Sequence, residues 1–586
     1  MAKSDLRIDV LGTSFTISAE EEPEYLSRLL EKYRKTVENV ERISGLKDPL
    51  KTAILTGFLL CDDLEKTGIA EEGETNRYEA ERLTLGMISR LDNLVSSYIP
   101  TDTKAGVYKL RNTVKNYDWG SPEWIPALTG QKNPDNLPWA ELWMGVHPMG
   151  PSRIFLPGNP DENEGLLLSS LIAGDPEYFL GSETAHAYGT LPFLFKVLAA
   201  AKPLSIQAHP NLEQAREGFE RENRGGIPLD APHRNYKDPN HKPEIICALS
   251  PFASLCGFRG ADETAELFEK LYLGISRTYT PFNVPVISQD GLEALMTGLE
   301  RAVAALRREG ENPLRAFLWE VFSFENQAVE ILGTVVKAIY PALEKDFNEN
   351  SDEWQLCSYL ARLFPGDAGI LAPLYLNIIE LAPGEAMYIP AGVFHAYIHG
   401  LGIEIMADSD TVLRGGLTSK NIDINELFKI LDFSEFKPRV MRGSHNENEH
   451  DIPGAEMWFS YPASVGEFSL SVIQNREGSV NFPDMGPCIV LITEGSAEIS
   501  ISAPEGSAQD GKEAVTGGTG MVLSKGESVF IPGSDRKGKV IFTGTFCAYV
   551  ASPGGDRGKP SMESYREQNP PGPFSGGTVS NETVSG

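Results

Sequence analysis

The sequence predicts a mainly β protein with two small jelly-roll barrels, the first carrying a helical insertion. A small α+β domain ending in a coiled-coil-like helix precedes them. Three observations carry this reading. The phrase GEAMYIPAGVFHAY sets Gly384, Pro390, Gly392 and His395 at the spacing G-x5-P-x-G-x2-H, which shapes a tight strand-turn-strand corner and projects the histidine into a small barrel. Near the C-terminus, GESVFIPGS repeats the start of that phrase, with Gly526 and Pro532 in place of Gly384 and Pro390 but no histidine in place of His395. Between the two strand-rich stretches, Ala265, Leu267, Phe268 and Leu271, then Leu295, Leu299, Val303 and Leu306, recur at helical spacing.

At 586 residues the chain is too long for one core, and domains of roughly 100 to 200 residues give three or four. In order, LRIDVLGTSFTIS alternates apolar residues on both sides of Gly12 and reads as a hairpin. Pro23 opens a helix whose Leu26, Leu29, Leu30, Tyr33, Val37 and Val40 fall on one face, and a second helix covers about Thr52 to Lys66. Ala80, Leu83, Met87, Leu91, Leu94 and Tyr98 then form a seam. A unit this small gains by burying such a seam against a copy, so residues 1–100 read as an oligomerisation domain and the chain as a homo-oligomer. After the linker Pro100 to Gly106, residues 107–260 and 366–435 read as a barrel that carries the candidate metal ligands His209 and His395, around the helical insertion 261–365. Residues 440–552 form a second barrel without metal, and 553–586, rich in Gly, Pro and Ser, a disordered tail.

A net charge of −30 opposes nucleic acid or an anionic membrane as a partner, so any phosphate site must be local. The opening MAKSDLRIDVLG has no signal-peptide pattern, and the apolar run AILTGFLLC falls short of the roughly 20 residues of a membrane span. The expected location is cytoplasmic. The six cysteines form no CxxC pair and read as reduced, mostly buried thiols.

The chemistry centres on four residues. In SIQAHP the two-residue strand period puts Gln207 and His209 on one face; Glu244 follows in NHKPEIICAL, and His395 completes the second cupin motif quoted above. Two imidazoles and a carboxylate suit zinc with a position left open for substrate. Gln207 is either a ligand or an orienter of one. His147, His186, His233, His445 and His450 read as hydrogen-bonded core histidines. Downstream of His395, GIEIMADSDTVLRGGLTSKNID carries Glu404, Asp408, Asp410, Arg414 and Lys420, and Gly415 and Gly416 let backbone approach a ligand. Arg414 and Lys420 are the local cations a phosphate substrate needs, and Lys242, two residues before Glu244, can face the same site.

Two resemblances follow from these phrases. The hairpin, helices and seam of residues 4–98, with IDVLGTSFTISAEEEPEYLSRLLEKY at the front, resemble the ZapA-like cell-division proteins. That implies self-association and the tubulin-like protein FtsZ as a partner, although such a domain can be reused as an oligomerisation handle. From about 107 to 550, NTVKNYDWGS, AELWMGVHP, KPLSIQAHP, NHKPE, LCGFR, IPAGVFHAY and DSDTVLRGGLTSK occur in the order of the type I mannose-6-phosphate isomerases. This resemblance implies one zinc per chain held by Gln207, His209, Glu244 and His395, and Arg414 in the position of the family's catalytic arginine. It also implies interconversion of mannose 6-phosphate and fructose 6-phosphate through an enediol(ate), a sugar phosphate held with the help of Ser205 and Lys420, and two cupin barrels with a helical insertion. Ser419 departs from the family's usual GLTPK. Asp410, Glu404, His241 and Lys242 are all plausible bases, and Arg414 stabilises the enediolate or holds the phosphate. The rival readings are a division-associated protein that senses sugar phosphate without turnover and a metal-dependent cupin oxygenase. The second is disfavoured because redox cupins rely on histidine-rich iron sites.

Overall fold

The structure is a computed structural model. It describes the strands Ser4–Val10 and Thr13–Ala19, scattered positions between 28 and 56, and residues 106–154, 165–229, 231–279, 287–308, 312–346, 352–443, 455–502, 520–534 and 539–554. The second N-terminal helix apart from Thr56, the seam of Leu83 to Leu94 and the tail from 555 lie outside the described residues. Two compact units divide the chain, residues 1–94 and 95–586.

In the first unit the two opening strands pair antiparallel with Leu6 opposite Ile17, Ile8 opposite Phe15 and Val10 opposite Thr13. This is the hairpin expected from the alternation. Residues 33–37 are helical, also as expected.

Among the described residues, the second unit holds two eleven-stranded sheets. The first runs Met441–Arg442, Glu385–Ile389, Glu244–Ala248, His395–Ala407, Phe193–Ala200, Glu141–Met144 and Thr113–Lys115. Phe252–Phe258, Leu376–Leu381, Ile206–Ala208 and Leu413–Gly416 attach beside this path. The 13-residue strand His395–Ala407 serves two partnerships: its start pairs with Phe252–Phe258 and Gln207, its end with Glu244–Ala248 and Phe193–Ala200. Gly400 marks the change. Its φ of 136° is open to glycine, and a Cβ there would stand 2.8 Å from Phe252 Cα. Both glycines of the cupin motif have positive φ, 83° at Gly384 and 80° at Gly392, and Gly526 repeats the 83° of Gly384.

The second sheet joins strands from both ends of the unit. Tyr108–Arg111 pairs with Ser528–Ile531, so the first strand after the linker closes a sheet otherwise made mostly of residues 457–552. The faces of the two sheets share one core. Phe193, Phe195, Val197, Ile245, Cys247, Ile403 and Ile405 of the first meet Leu470, Val472, Ile489, Leu491, Phe530 and Tyr549 of the second. Residues of opposite parity on the same strands, Leu198, Ile246 and Met387, face a separate inner cluster. Strands buried on both faces lose their alternation and read as continuous apolar runs, as FLFKVLAA and EIICA do.

Between residues 261 and 363 lie the helices Ala261–Thr278, Gln289–Arg307, Pro313–Phe322, Asn326–Asp346 and Asp352–Leu363. Of the residues whose spacing predicts helices, Ala265, Phe268, Leu271, Leu295, Leu299 and Leu306 are buried in their core, and Leu267 and Val303 pack against it partly buried. That core extends to Ile206 and Ala208, Phe394 and Ala396, and Leu413. Helices also occur where the sequence reads mainly as strand. Leu212–Arg224 opens with a capping box between Asn211 and Gln214 but buries only Ala215, Gly218 and Glu222, too thin an apolar stripe to announce itself.

Phe394 is fully buried, next to His395 in sequence and in the core beneath the helices. Phe394→Ala should cost about 3–5 kcal/mol of stability, read as a lowered denaturant midpoint for the second unit, and should reduce activity by freeing the strand start that carries His395.

Candidate metal centre and active site

Strand parity builds the site. Gln207 lies directly opposite His395 on one side and Arg414 on the other, so the three side chains leave the same face of the sheet. Their sequence neighbours Ile206, Ala208, Phe394, Ala396 and Leu413 leave the other face into the helical core. Glu244 shares the parity of Ile246 in the inner cluster. The amide of Gly392, in the cupin turn, donates to the carbonyl of His209 at 2.8 Å and ties the two histidine-bearing segments together.

His209 Nδ1 donates to the Thr411 carbonyl at 2.9 Å and His395 Nδ1 to the Val393 carbonyl at 2.9 Å. A carbonyl can only accept, so in the neutral rings both Nε2 atoms present lone pairs. Those lone pairs meet Glu244: His209 Nε2 is 3.3 Å from Oε1 and His395 Nε2 3.4 Å from Oε2. The three residues are buried, their ligand atoms lie within 4.8 Å of one another, and His209 Nε2 and Glu244 Oε1 make no hydrogen bond. Burial, reinforced by Lys242, pushes the His209 imidazolium down to about 4, so no proton sits between that ring and the carboxylate at neutral pH. Burial opposes ionisation of Glu244, yet the charge of Lys242 holds its carboxyl well below the usual range. Converging acceptors without protons repel unless a cation lies among them, and this donor set fits a divalent metal ion. Gln207 Nε2 is 3.4 Å from His395 Nε2, which brings the fourth expected residue to the same point. The Tyr397 hydroxyl donates to Glu244 Oε2 at 3.3 Å.

The four candidate bases are placed differently. Lys242 Nζ lies 3.0 Å from Glu244 Oε1. Glu404 sits opposite Lys196 in the ladder and accepts from its ammonium at 2.8 Å; Glu141 approaches the same ammonium at 3.5 Å. Burial pushes the Glu404 carboxyl up, while the two glutamates hold the buried Lys196 ammonium above its usual range against the cost of burial. Lys196 is not announced by the sequence, because one lysine in FLFKVLAA gives no pattern. His241 Nε2 is engaged by Glu467 Oε1 at 2.8 Å. Asp410 adjoins Thr411, whose carbonyl holds His209; its side chain is 36% exposed, and its carboxylate is contacted by His147 Nε2 at 3.1 Å. Burial opposes ionisation there too, but the contact with His147 keeps the Asp410 carboxyl below its usual range.

Arg414 is half-buried and Lys420 exposed. Burial lowers both cations, and Arg414 lowers Lys420 further, so the two positive charges lie near each other. Ser205 is half-buried one residue before the strand carrying Gln207. Cys247, Cys256, Cys357, Cys488 and Cys547 are free thiols and buried. No helix among the described residues is long and apolar enough to cross a membrane.

Residues 107–261 match the family model described as phosphomannose isomerase type I, catalytic domain, and residues 6–96 that described as cell division protein ZapA. The mannose-6-phosphate isomerase of Escherichia coli (strain K12) is 36% identical over 427 residues, 73% of this chain and 95% of that protein. Mannose-6-phosphate isomerase 2 of Arabidopsis thaliana is 31% identical over 73% of this chain and 89% of its own length. A crystal structure of a phosphomannose isomerase variant from Salmonella typhimurium superposes with a TM-score of 0.62 at 31% identity, covering 76% of this chain and 99% of that one. A zinc-bound mannose 6-phosphate isomerase structure gives 0.61 at 31%, covering 77% and 100%. With this identity across nearly the whole length of its relatives, the chain belongs to the mannose-6-phosphate isomerase family and carries a ZapA segment ahead of it.

Proposed function

We infer that the chain interconverts mannose 6-phosphate and fructose 6-phosphate with one zinc ion held by Gln207, His209, Glu244 and His395. The observation that carries this reading is the convergence of two imidazole lone pairs on a buried, ionised carboxylate, in a chain so closely related to the bacterial isomerases. When bound, zinc supplies a Lewis acid for the carbonyl and hydroxyl oxygens at C1 and C2.

Isomerisation transfers one proton from C2 to C1 and another between the two oxygens, through an enediol(ate). Of the candidate bases, Lys242, Glu404 and His241 each face a buried or half-buried partner of opposite charge. Asp410 is ionised at neutral pH, is partly open to solvent and has one carboxylate oxygen not engaged by His147. It is the group best suited to lift the proton from C2 and return it at C1. Lys196 and Lys242 add positive charge near the forming enediolate. Arg414, beside Gln207, stabilises that charge, while Lys420 and Ser205 hold the phosphate. The two sheets are read as two cupin-like barrels, the second without metal, with 261–365 as an insertion in the first. The N-terminal domain is read as a coiled-coil oligomerisation handle that offers an FtsZ-type division protein a docking partner, in a cytoplasmic enzyme.

Three outcomes test these assignments. His395→Ala and Glu244→Gln should abolish turnover of mannose 6-phosphate and lower the zinc measured by elemental analysis, as should prolonged chelation. Full turnover in zinc-free protein refutes the reading, and sugar-phosphate binding without turnover in zinc-replete protein points to a sensor. Arg414→Ala should reduce kcat by roughly 10²–10³-fold with zinc content unchanged; a raised KM alone reassigns it to the phosphate. A chain lacking residues 1–104 should keep its isomerase activity while its mass by light scattering falls to that of a monomer; a truncated chain that stays dimeric removes the handle role.

A further inference from the structure

His147 follows the strand Glu141–Met144 and reads from sequence as a core histidine. It is indeed buried, at 4% exposure, but its hydrogen bonds give it a direction. The backbone amide of Met149 donates to His147 Nδ1 at 3.2 Å. Nδ1 is therefore an acceptor, and the neutral ring carries its proton on Nε2. His147 Nε2 lies 3.1 Å from Asp410 Oδ2 and 3.9 Å from Asp408 Oδ1, and its contact with Asp410 favours the ionised carboxylate. The ring is wedged edge-on against Trp143, 4.8 Å between centroids, so it cannot swing away without opening that packing. Asp410 is also pinned through its backbone: its amide donates to Asp238 Oδ2 at 2.7 Å, and Asp238 Oδ1 accepts from the Ser409 hydroxyl at 2.8 Å.

We propose that His147 is a positioning residue for the isomerisation, whose Nε2–H holds one oxygen of the Asp410 carboxylate so that the other is aimed at the proton travelling between C2 and C1. This rests on Asp410 as the base assigned above. A donor fixed to one oxygen removes the rotation that would present either oxygen at random, and proton transfer is sensitive to such misalignment. The arrangement also keeps the proton on the right partner. An imidazole whose Nδ1 is already accepting an N–H can only donate at Nε2, so His147 does not compete with Asp410 for the substrate's proton. The other charged groups acting on Asp410 are Lys242 and Lys196, which favour its anion, and its neighbours Asp238 and Asp408, which oppose it.

The test compares His147→Ala, His147→Gln and Asp410→Asn in the full-length zinc-loaded chain, with zinc content and melting temperature recorded for each. His147→Ala should lower kcat roughly 10- to 100-fold, a part of the 10²–10⁴-fold typical of positioned acid–base catalysis, while KM stays within about twofold. The acidic limb of its kcat/KM profile should move to higher pH, since the carboxylate loses the donor that favours its ionised form. His147→Gln, whose amide nitrogen can replace Nε2 as donor, should recover most of kcat and return the limb toward its original place. Equal losses in both variants with the limb unmoved assign His147 to packing and overturn the proposal. Parent-level kcat in Asp410→Asn overturns the base assignment and the proposal with it. An inactive Asp410→Asn beside a fully active His147→Ala overturns the role of His147 alone.

Discussion

Everything at the site depends on strands that are buried on both sides. A side chain leaving a strand at one parity is held in place by its neighbours of the other parity, and here those neighbours sit in hydrophobic cores. Ile206 and Ala208 flank Gln207, Phe394 and Ala396 flank His395, and Ile245 beside Glu244 lies between the two sheets. Sliding any of these strands by one residue would exchange core for ligand, so the apolar packing sets the register and the register sets the metal site. The helices between 261 and 363 contribute to catalysis in this indirect sense: their core is the anvil against which three site strands are laid.

The second governing fact is electrostatic. In a chain of net charge −30, the site concentrates cations at Lys196, Lys242, Arg414 and Lys420. Lys196 and Lys242 are buried and contact carboxylates, so their charge is kept in place without attracting a bulk counter-ion. Arg414 and Lys420 are less enclosed, and among the described residues neither side chain forms an ion pair. A dianionic phosphate is drawn toward such a place on an otherwise acidic surface.

Much of this was legible before the structure. The glycine and proline spacing around His395 implied a corner, and Gly384 and Gly392 have the positive φ that only glycine accepts readily. The apolar steps of Ala265 to Leu306 implied helices that exist. His209, Glu244 and His395 do converge. What stayed hidden had physical causes. Lys196 lies in a strand buried on both faces, where alternation vanishes and one lysine looks like an interruption. His147 is as buried as any core histidine, and only the three-dimensional meeting with Asp410 gives its ring a purpose. The pairing of Tyr108–Arg111 with Ser528–Ile531 leaves no local trace, because what joins the two segments is a ladder between residues far apart in sequence.

That last pairing bears on how the chain is made. Lys109 and its partner Glu527 are 418 residues apart, so during synthesis the strand Tyr108–Arg111 emerges long before its neighbour exists. At about 5–20 residues per second the delay is on the order of 20 to 80 s, during which the strand must wait with an unpaired edge while the metal-bearing sheet behind it can already assemble. An exposed edge of this kind invites pairing with other nascent chains, and charged side chains are the usual deterrent. Lys109 and Arg111 are placed where they can supply that protection on the ribosome, and Lys109 later turns the same charge toward Glu527 when the sheet closes.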